Sequence, residues 1–168
     1  MSLLVRLATP DDAETLHRFI CDLADYEKKR DAVEVTPPQL REQMSQPHPP
    51  FECLIAEDPS ASGDAARGFA LFFYNYSTWR GRRGLHLEDL YVPPEHRGTG
   101  VGKALLATLA RVAKERGCAR MEWWVLDWNT PAIEFYRGLG ATPMGDWTTF
   151  RLTRDALDEL ATQGQPLG

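Results

Sequence analysis

The chain has 168 residues, 43% of them hydrophobic and 26% charged, with a formal net charge of −5. These values suit one globular domain, residues 1–168, that buries about two-thirds of its unfolded surface, and they speak against a nucleic-acid binder, which is typically basic. Cys21, Cys53 and Cys118 form no C-x-x-C pair, the four histidines are dispersed, and no apolar run approaches the ~18 residues of a membrane span, so a reduced cytoplasmic protein with no metal site is expected.

In chain order, Leu3 to Leu7 alternates as a strand. Thr9-Pro10-Asp11-Asp12 starts a helix: Thr9 can cap, Pro10 suits the first turn, and the acids favour the dipole. Apolar residues at 13, 16, 19, 20, 23 and 24 continue it to about Tyr26. Thr36-Pro37-Pro38 opens a shorter helix through Leu40 and Met44. Strands are predicted over 51–56, 68–76 and 85–92, and a helix over 101–116 with core positions 101, 105, 108, 109 and 112, stopped by Gly117. A strand over 119–126 leads to a helix with Thr130 as N-cap and Pro131 in its first turn, ending at Gly140. Short strands over 141–144 and 147–152 precede a closing helix from about Arg154. The fold class is α/β, with a mixed sheet of six to seven strands flanked by helices.

The segment between the 85–92 strand and the next helix reads Arg97-Gly98-Thr99-Gly100-Val101-Gly102. A glycine turn opening a helix aims several unpaired N–H groups one way, at the positive end of the helix dipole, which suits a phosphate or pyrophosphate. Glycines permit close approach, and Arg97 adds a fixed positive charge. The spacing is neither that of a P-loop, since Ala104 follows Gly102-Lys103, nor the G-x-G-x-x-G of a dinucleotide fold.

Glu88-Asp89 interrupts the apolar strand before that turn. Alternation aims one carboxylate at each face, and a buried acid needs a partner or a cleft. Asp89 is expected to meet an arginine or to cap nearby N–H groups. Glu88 shares a face with Leu90 and Val92, which lead to the glycine turn, and is the functional candidate. Farther on, Asn129 stands at a strand end, where open α/β sheets place ligands. Tyr136 shares a helical face with Ala132 and Ile133; it is either a core residue or a general acid.

The order strand, Arg-x-x-Gly-x-Gly, helix, strand, Asn-x-x-Ala-x-x-x-Tyr resembles the acetyl-CoA core of the GNAT N-acetyltransferase superfamily. Ala24-Asp25-Tyr26-Glu27, Tyr76-Ser77-Thr78-Trp79-Arg80-Gly81-Arg82, Leu87 to Val92 and Val125 to Asn129 extend the likeness to one branch. These are the diamine and spermidine/spermine N1-acetyltransferases and their thialysine Nε-acetyltransferase relatives.

The resemblance implies a sheet splayed near its middle at the acetyl-CoA site. Leu90, Tyr91 and Val92 would face the pantetheine arm, and Arg97, Gly98, Thr99, Gly100, Val101, Gly102 and Lys103 the pyrophosphate. Asn129, Pro131 and Ala132 would line the far side. It implies Tyr136 as the acid for the CoA thiolate and Glu88, through a water, as the base. Tyr26, Glu27, Trp79, Glu88 and Asp89 are the amine-binding candidates, and a homodimer is implied.

The chemistry asks for the same roles: an alkylammonium with a pKa near 10.4 must lose a proton before it attacks. The polyamine enzymes resemble Tyr-Asp-Pro-Trp where this chain has Tyr76-Ser77-Thr78-Trp79, which removes an acid and is similar to the thialysine branch. Arg80, Arg82 or Arg83 is then a candidate to receive a substrate carboxylate, or is simply solvated. A small cationic amine is the expected substrate. Polyamine or protein-lysine acetylation, or a catalytically idle acyl-CoA-binding protein, are the alternatives.

Overall fold

The computed structural model describes residues 3–167. The chain divides into two compact units, Met1–Trp124 and Val125–Gly168. The first holds a five-stranded sheet in the order β1 (Leu4–Leu7), β2 (Glu52–Glu57), β3 (Ala66–Ser77), β4 (Arg82–Tyr91) and β5 (Met121–Trp123). Pairing is antiparallel as far as β4, and β4 pairs with β5 in parallel. Its helices are α1 (Ala13–Tyr26), α2 (Pro37–Met44) and α3 (Val101–Glu115); the second unit holds α4 (Thr130–Gly138) and α5 (Arg154–Ala161).

The first unit is organised by burial. Phe19 of α1 stacks on Phe69 of β3, with ring centroids 5.5 Å apart, and Leu16, Leu40, Ile55 and Tyr91 close round them. Val101, Leu105, Leu106, Leu109 and Ala113 are the buried positions of α3. Leu106 and Ala113 thus take the places expected of Thr108 and Val112. The Thr108 hydroxyl instead donates to the Ala104 carbonyl within the helix (2.8 Å). The start of α1 is tied down by Asp12, which accepts two 2.8 Å bonds from Arg6 and one of 2.7 Å from the Thr9 N–H.

The sheet has five strands among the described residues, where the sequence suggests six to seven. The expected strands over 141–144 and 147–152 are irregular. A strand exists only as a partner in a ladder, and alternation alone does not supply one. The predicted strand over 119–126 shortens to the three residues of β5. No helix among the described residues is long and apolar enough to cross a membrane.

Candidate active site

The ladder between β4 and β5 ends at the pair Leu87↔Trp123, while β4 runs on to Tyr91. From Glu88 onward one edge of β4 therefore has no β5 neighbour. On its other edge the register slips: Leu71 of β3 faces Asp89 and Phe72 faces Leu87. Glu88 is the extra residue of a β-bulge, which bends a strand and re-aims its side chains. The two carboxylates do end in different surroundings, but the segment is not buried on both faces as the apolar strand suggests. Glu88 is exposed, and Asp89 is largely buried.

Burial raises the Asp89 carboxyl to about 7, and the neighbouring Glu88 and Glu27 charges add to the rise. The charged groups acting on Asp89 are carboxylates; neither the arginine nor the N–H groups expected from sequence are among its influences. Glu27 caps the C-terminus of α1, and partial burial raises its pKa as well. Three acids from α1 and β4 thus share one neighbourhood, and a cation placed among them would relieve both their mutual repulsion and their desolvation. Asp89 is the more buried of the two strand acids. Its burial was legible in the apolar strand, but the bulge that decides which acid turns inward was not.

Beyond β4 the chain turns through Pro94–His96 into the glycine segment. Gly98 and Gly100 have φ of +74° and +93°, the left-handed region, and a Cβ on either would meet nothing within 4 Å. Gly100 caps α3, so the first-turn N–H groups at Val101, Gly102 and Lys103 lie beside an open, glycine-lined surface. That donor set fits a pyrophosphate. The Thr99 hydroxyl donates to the His96 carbonyl (2.6 Å), fixing the turn.

Arg97 also holds neighbouring elements together. Its Nε donates to the Val92 carbonyl (2.9 Å), and its guanidinium lies 4.9 Å from the Tyr26 ring centroid and 5.9 Å from that of Tyr91. It ties the end of β4, the end of α1 and the glycine turn together. The close approach of α3 depends on Gly68: a Cβ there would stand 2.7 Å from the Tyr91 carbonyl oxygen and 3.2 Å from Val101 Cγ1.

At the other end of β4, Ser77 is buried and its hydroxyl accepts the Arg80 N–H (3.3 Å), closing the hairpin that carries Trp79, 87% exposed. The Arg83 guanidinium rests 5.4 Å from the Tyr74 ring centroid. Beside it is an open pocket of about 620 Å³, lined by His48, Phe51, Tyr76 and others. Among the described residues no group of three or more His, Cys, Asp or Glu is placed to hold a metal ion.

In the second unit, Asn129 rather than Thr130 is the N-cap of α4: its Oδ1 accepts the Ala132 N–H (3.4 Å). Pro131 occupies the first turn. Tyr136 is half-buried on α4, its ring 5.5 Å from that of Phe135.

Residues 16–141 match the acetyltransferase (GNAT) family. The chain is 38% identical to a thialysine N-epsilon-acetyltransferase of Bos taurus over 166 residues, covering 95% of this chain and 97% of that one. It is 34% identical to a human spermidine/spermine N(1)-acetyltransferase-like protein 1 over 94% of this chain, but spans only 23% of that protein. Among solved structures, an integron cassette protein from the mobile metagenome of V. cholerae aligns with a TM-score of 0.77 at 23% identity, over 96% of this chain and 98% of that one.

Proposed function

The chain belongs to the acetyltransferase (GNAT) family and is an N-acetyltransferase of amines. From that premise we propose that its substrate is a small primary amine of the thialysine type, a lysine analogue or diamine. The observation that carries this reading is the carboxylate group at the bulge. Glu27, Glu88 and Asp89 stand together, and burial and like charge raise Asp89 to about 7. Such a site attracts a compact ammonium and can take up its proton.

In this reading Glu88, through a water, accepts the proton that the ammonium must lose. The freed nitrogen lone pair then attacks the acetyl carbonyl of acetyl-CoA, forming the C–N bond. A strand N–H near Leu90 offers a donor for the oxyanion. As the C–S bond breaks, Tyr136 gives its proton to the departing thiolate, and its phenolate takes up the second proton that the acylated nitrogen sheds. The donor is bound by the edge of β4 at Leu90, Tyr91 and Val92, by the segment from Arg97 to Lys103, and by Asn129, Pro131 and Ala132. The transfer is direct and needs no covalent enzyme intermediate and no metal. Tyr26, Glu27 and Asp89 receive the amine, with Trp79 as a cation–π wall.

We read the two units as parts of one acetyltransferase domain, because the family match runs across the boundary between them. We also read the protein as a homodimer; Trp147 and Phe150, 70% and 92% exposed, are apolar surface that a second copy could cover.

The test is CoA-thiol release from acetyl-CoA with thialysine, lysine, ornithine, putrescine, spermidine, spermine and a lysine-containing peptide. Preference for thialysine supports the reading and the part given to Ser77-Thr78-Trp79. Preference for spermidine moves the assignment to the polyamine branch. Silence with every amine, despite acetyl-CoA binding, refutes the substrate class.

A further inference from the structure

His86 lies two residues before Glu88 on β4, buried between two aromatic rings. The Phe73 ring from β3 is 4.9 Å away between centroids, and the Trp124 ring meets it edge-on at 5.3 Å. The His86 side chain is only 9% exposed, and its Nε2 stands 3.4 Å from Glu88 Oε2. The Glu88 side chain, by contrast, is 49% exposed and sits on a bulge with no register partner on β3. Left to itself, such a carboxylate samples several rotamers, and only some of them present an oxygen to a bound amine.

We infer that His86 is a positioning residue for Glu88: the ring-clamped imidazole holds one oxygen of the carboxylate and so aims the other. The inference rests on Glu88 being the proton acceptor. The surroundings single out this contact. Glu122, the register neighbour of His86 on β5, is held by Arg120 at 3.0 Å. Asp89, the adjacent acid, interacts with Glu88 as one carboxylate with another, which repels it rather than holds it. Within this group the His86 Nε2 is the nitrogen that approaches the Glu88 carboxylate, at 3.4 Å, and the imidazole packs against the Phe73 and Trp124 rings.

The experiment is steady-state thiol release with His86→Phe, His86→Gln, Glu88→Gln and the double variant His86→Phe/Glu88→Gln. Phenylalanine keeps a ring between Phe73 and Trp124 but removes the N–H; glutamine loses the ring and keeps a donor. We expect His86→Phe to lower kcat roughly tenfold. The KM for acetyl-CoA should not move, and His86→Gln should recover most of the loss. The double variant should be no slower than Glu88→Gln alone, because His86 acts only through that carboxylate.

His86→Phe turning over at the wild-type rate overturns the inference, as does a double variant in which the two losses multiply. Should His86→Phe fail to fold in a thermal melt, His86→Gln carries the test by itself, and a kcat as low as that of Glu88→Gln then overturns it. Wild-type turnover by Glu88→Gln is a separate failure, since it removes the base itself. A slow Glu88→Gln with a fast His86→Phe removes only the positioning role.

Discussion

The two units handle their apolar residues in opposite ways. In the first, Phe19, Phe69, Phe72, Leu105 and Leu109 are fully buried, and the elements they lie on form a paired sheet with helices packed against it. In the second, α4 and α5 have no buried residue, and Trp147, Phe150, Leu157 and Leu160 are exposed. The contrast separates what the chain builds from local and sheet contacts from what still presents apolar surface. It also divides the proposed machinery. The carboxylates and the glycine turn stand on a packed scaffold, whereas Tyr136 lies on α4, which has no fully buried residue, and Asn129 caps it.

The largest effects should come from the proposed proton carriers, one in each unit. Glu88→Gln and Tyr136→Phe should each lower turnover by about 10²–10⁴-fold, the range for general acid–base catalysis, read as thiol release at saturating substrates. If Tyr136→Phe leaves the rate unchanged, the second unit has no part in the chemistry and the proposed acid is wrong.

Next is stability. Leu105→Ala should cost about 2–5 kcal/mol in denaturant unfolding, through lost burial and the cavity left behind. Phe150→Ala, removing more apolar area, should change it by less than about 0.5 kcal/mol, because that ring is already in water. Equal losses would mean that Phe150 is covered in solution, as a homodimer would cover it.

Asp89 gives a pH test. Its carboxyl titrates at about 7 in the folded chain against the ordinary 3.8, so the folded state holds the proton more tightly than the unfolded one. The contribution to stability is therefore full below pH ~4 and is lost as the pH rises through about 7. Asp89→Asn, which does not titrate, should match the wild type at pH 4 and exceed its unfolding free energy by about 2–4 kcal/mol above pH 7. Parallel stability curves for the two proteins would contradict the burial assigned to Asp89.

A smaller effect is expected at Gly68, where an added methyl meets the Tyr91 carbonyl. Gly68→Ala should cost about 1–3 kcal/mol and raise the KM for acetyl-CoA by displacing the start of α3. An unchanged KM would show that the glycine turn does not depend on that close approach.

The same division between units marks what was legible in the sequence. Glycine spacing, prolines in first turns and apolar periodicity located α1, α2, α3 and the first four strands to within a few residues, because each rests on local geometry or on a broad apolar face. The glycine turn was legible for the same reason: φ above zero at 98 and 100 is a local demand. The bulge at Glu88 was not, since it arises from a register slip between β3 and β4 that neither strand encodes alone. The strands expected over 141–144 and 147–152 are absent because pairing, not alternation, makes a strand. At α4 the cap moved one residue, from Thr130 to Asn129, both residue types being good caps.

The central claim is that the carboxylates at the bulge receive the ammonium of the substrate. The most direct measurement is the titration of Asp89 by carboxyl-carbon NMR, with and without a saturating non-reactive amine. The account predicts a midpoint of about 7 in the free protein. It also predicts a clear fall when the amine binds, since a neighbouring cation favours the charged carboxylate. A midpoint unmoved by saturating amine would place the amine elsewhere and contradict the account.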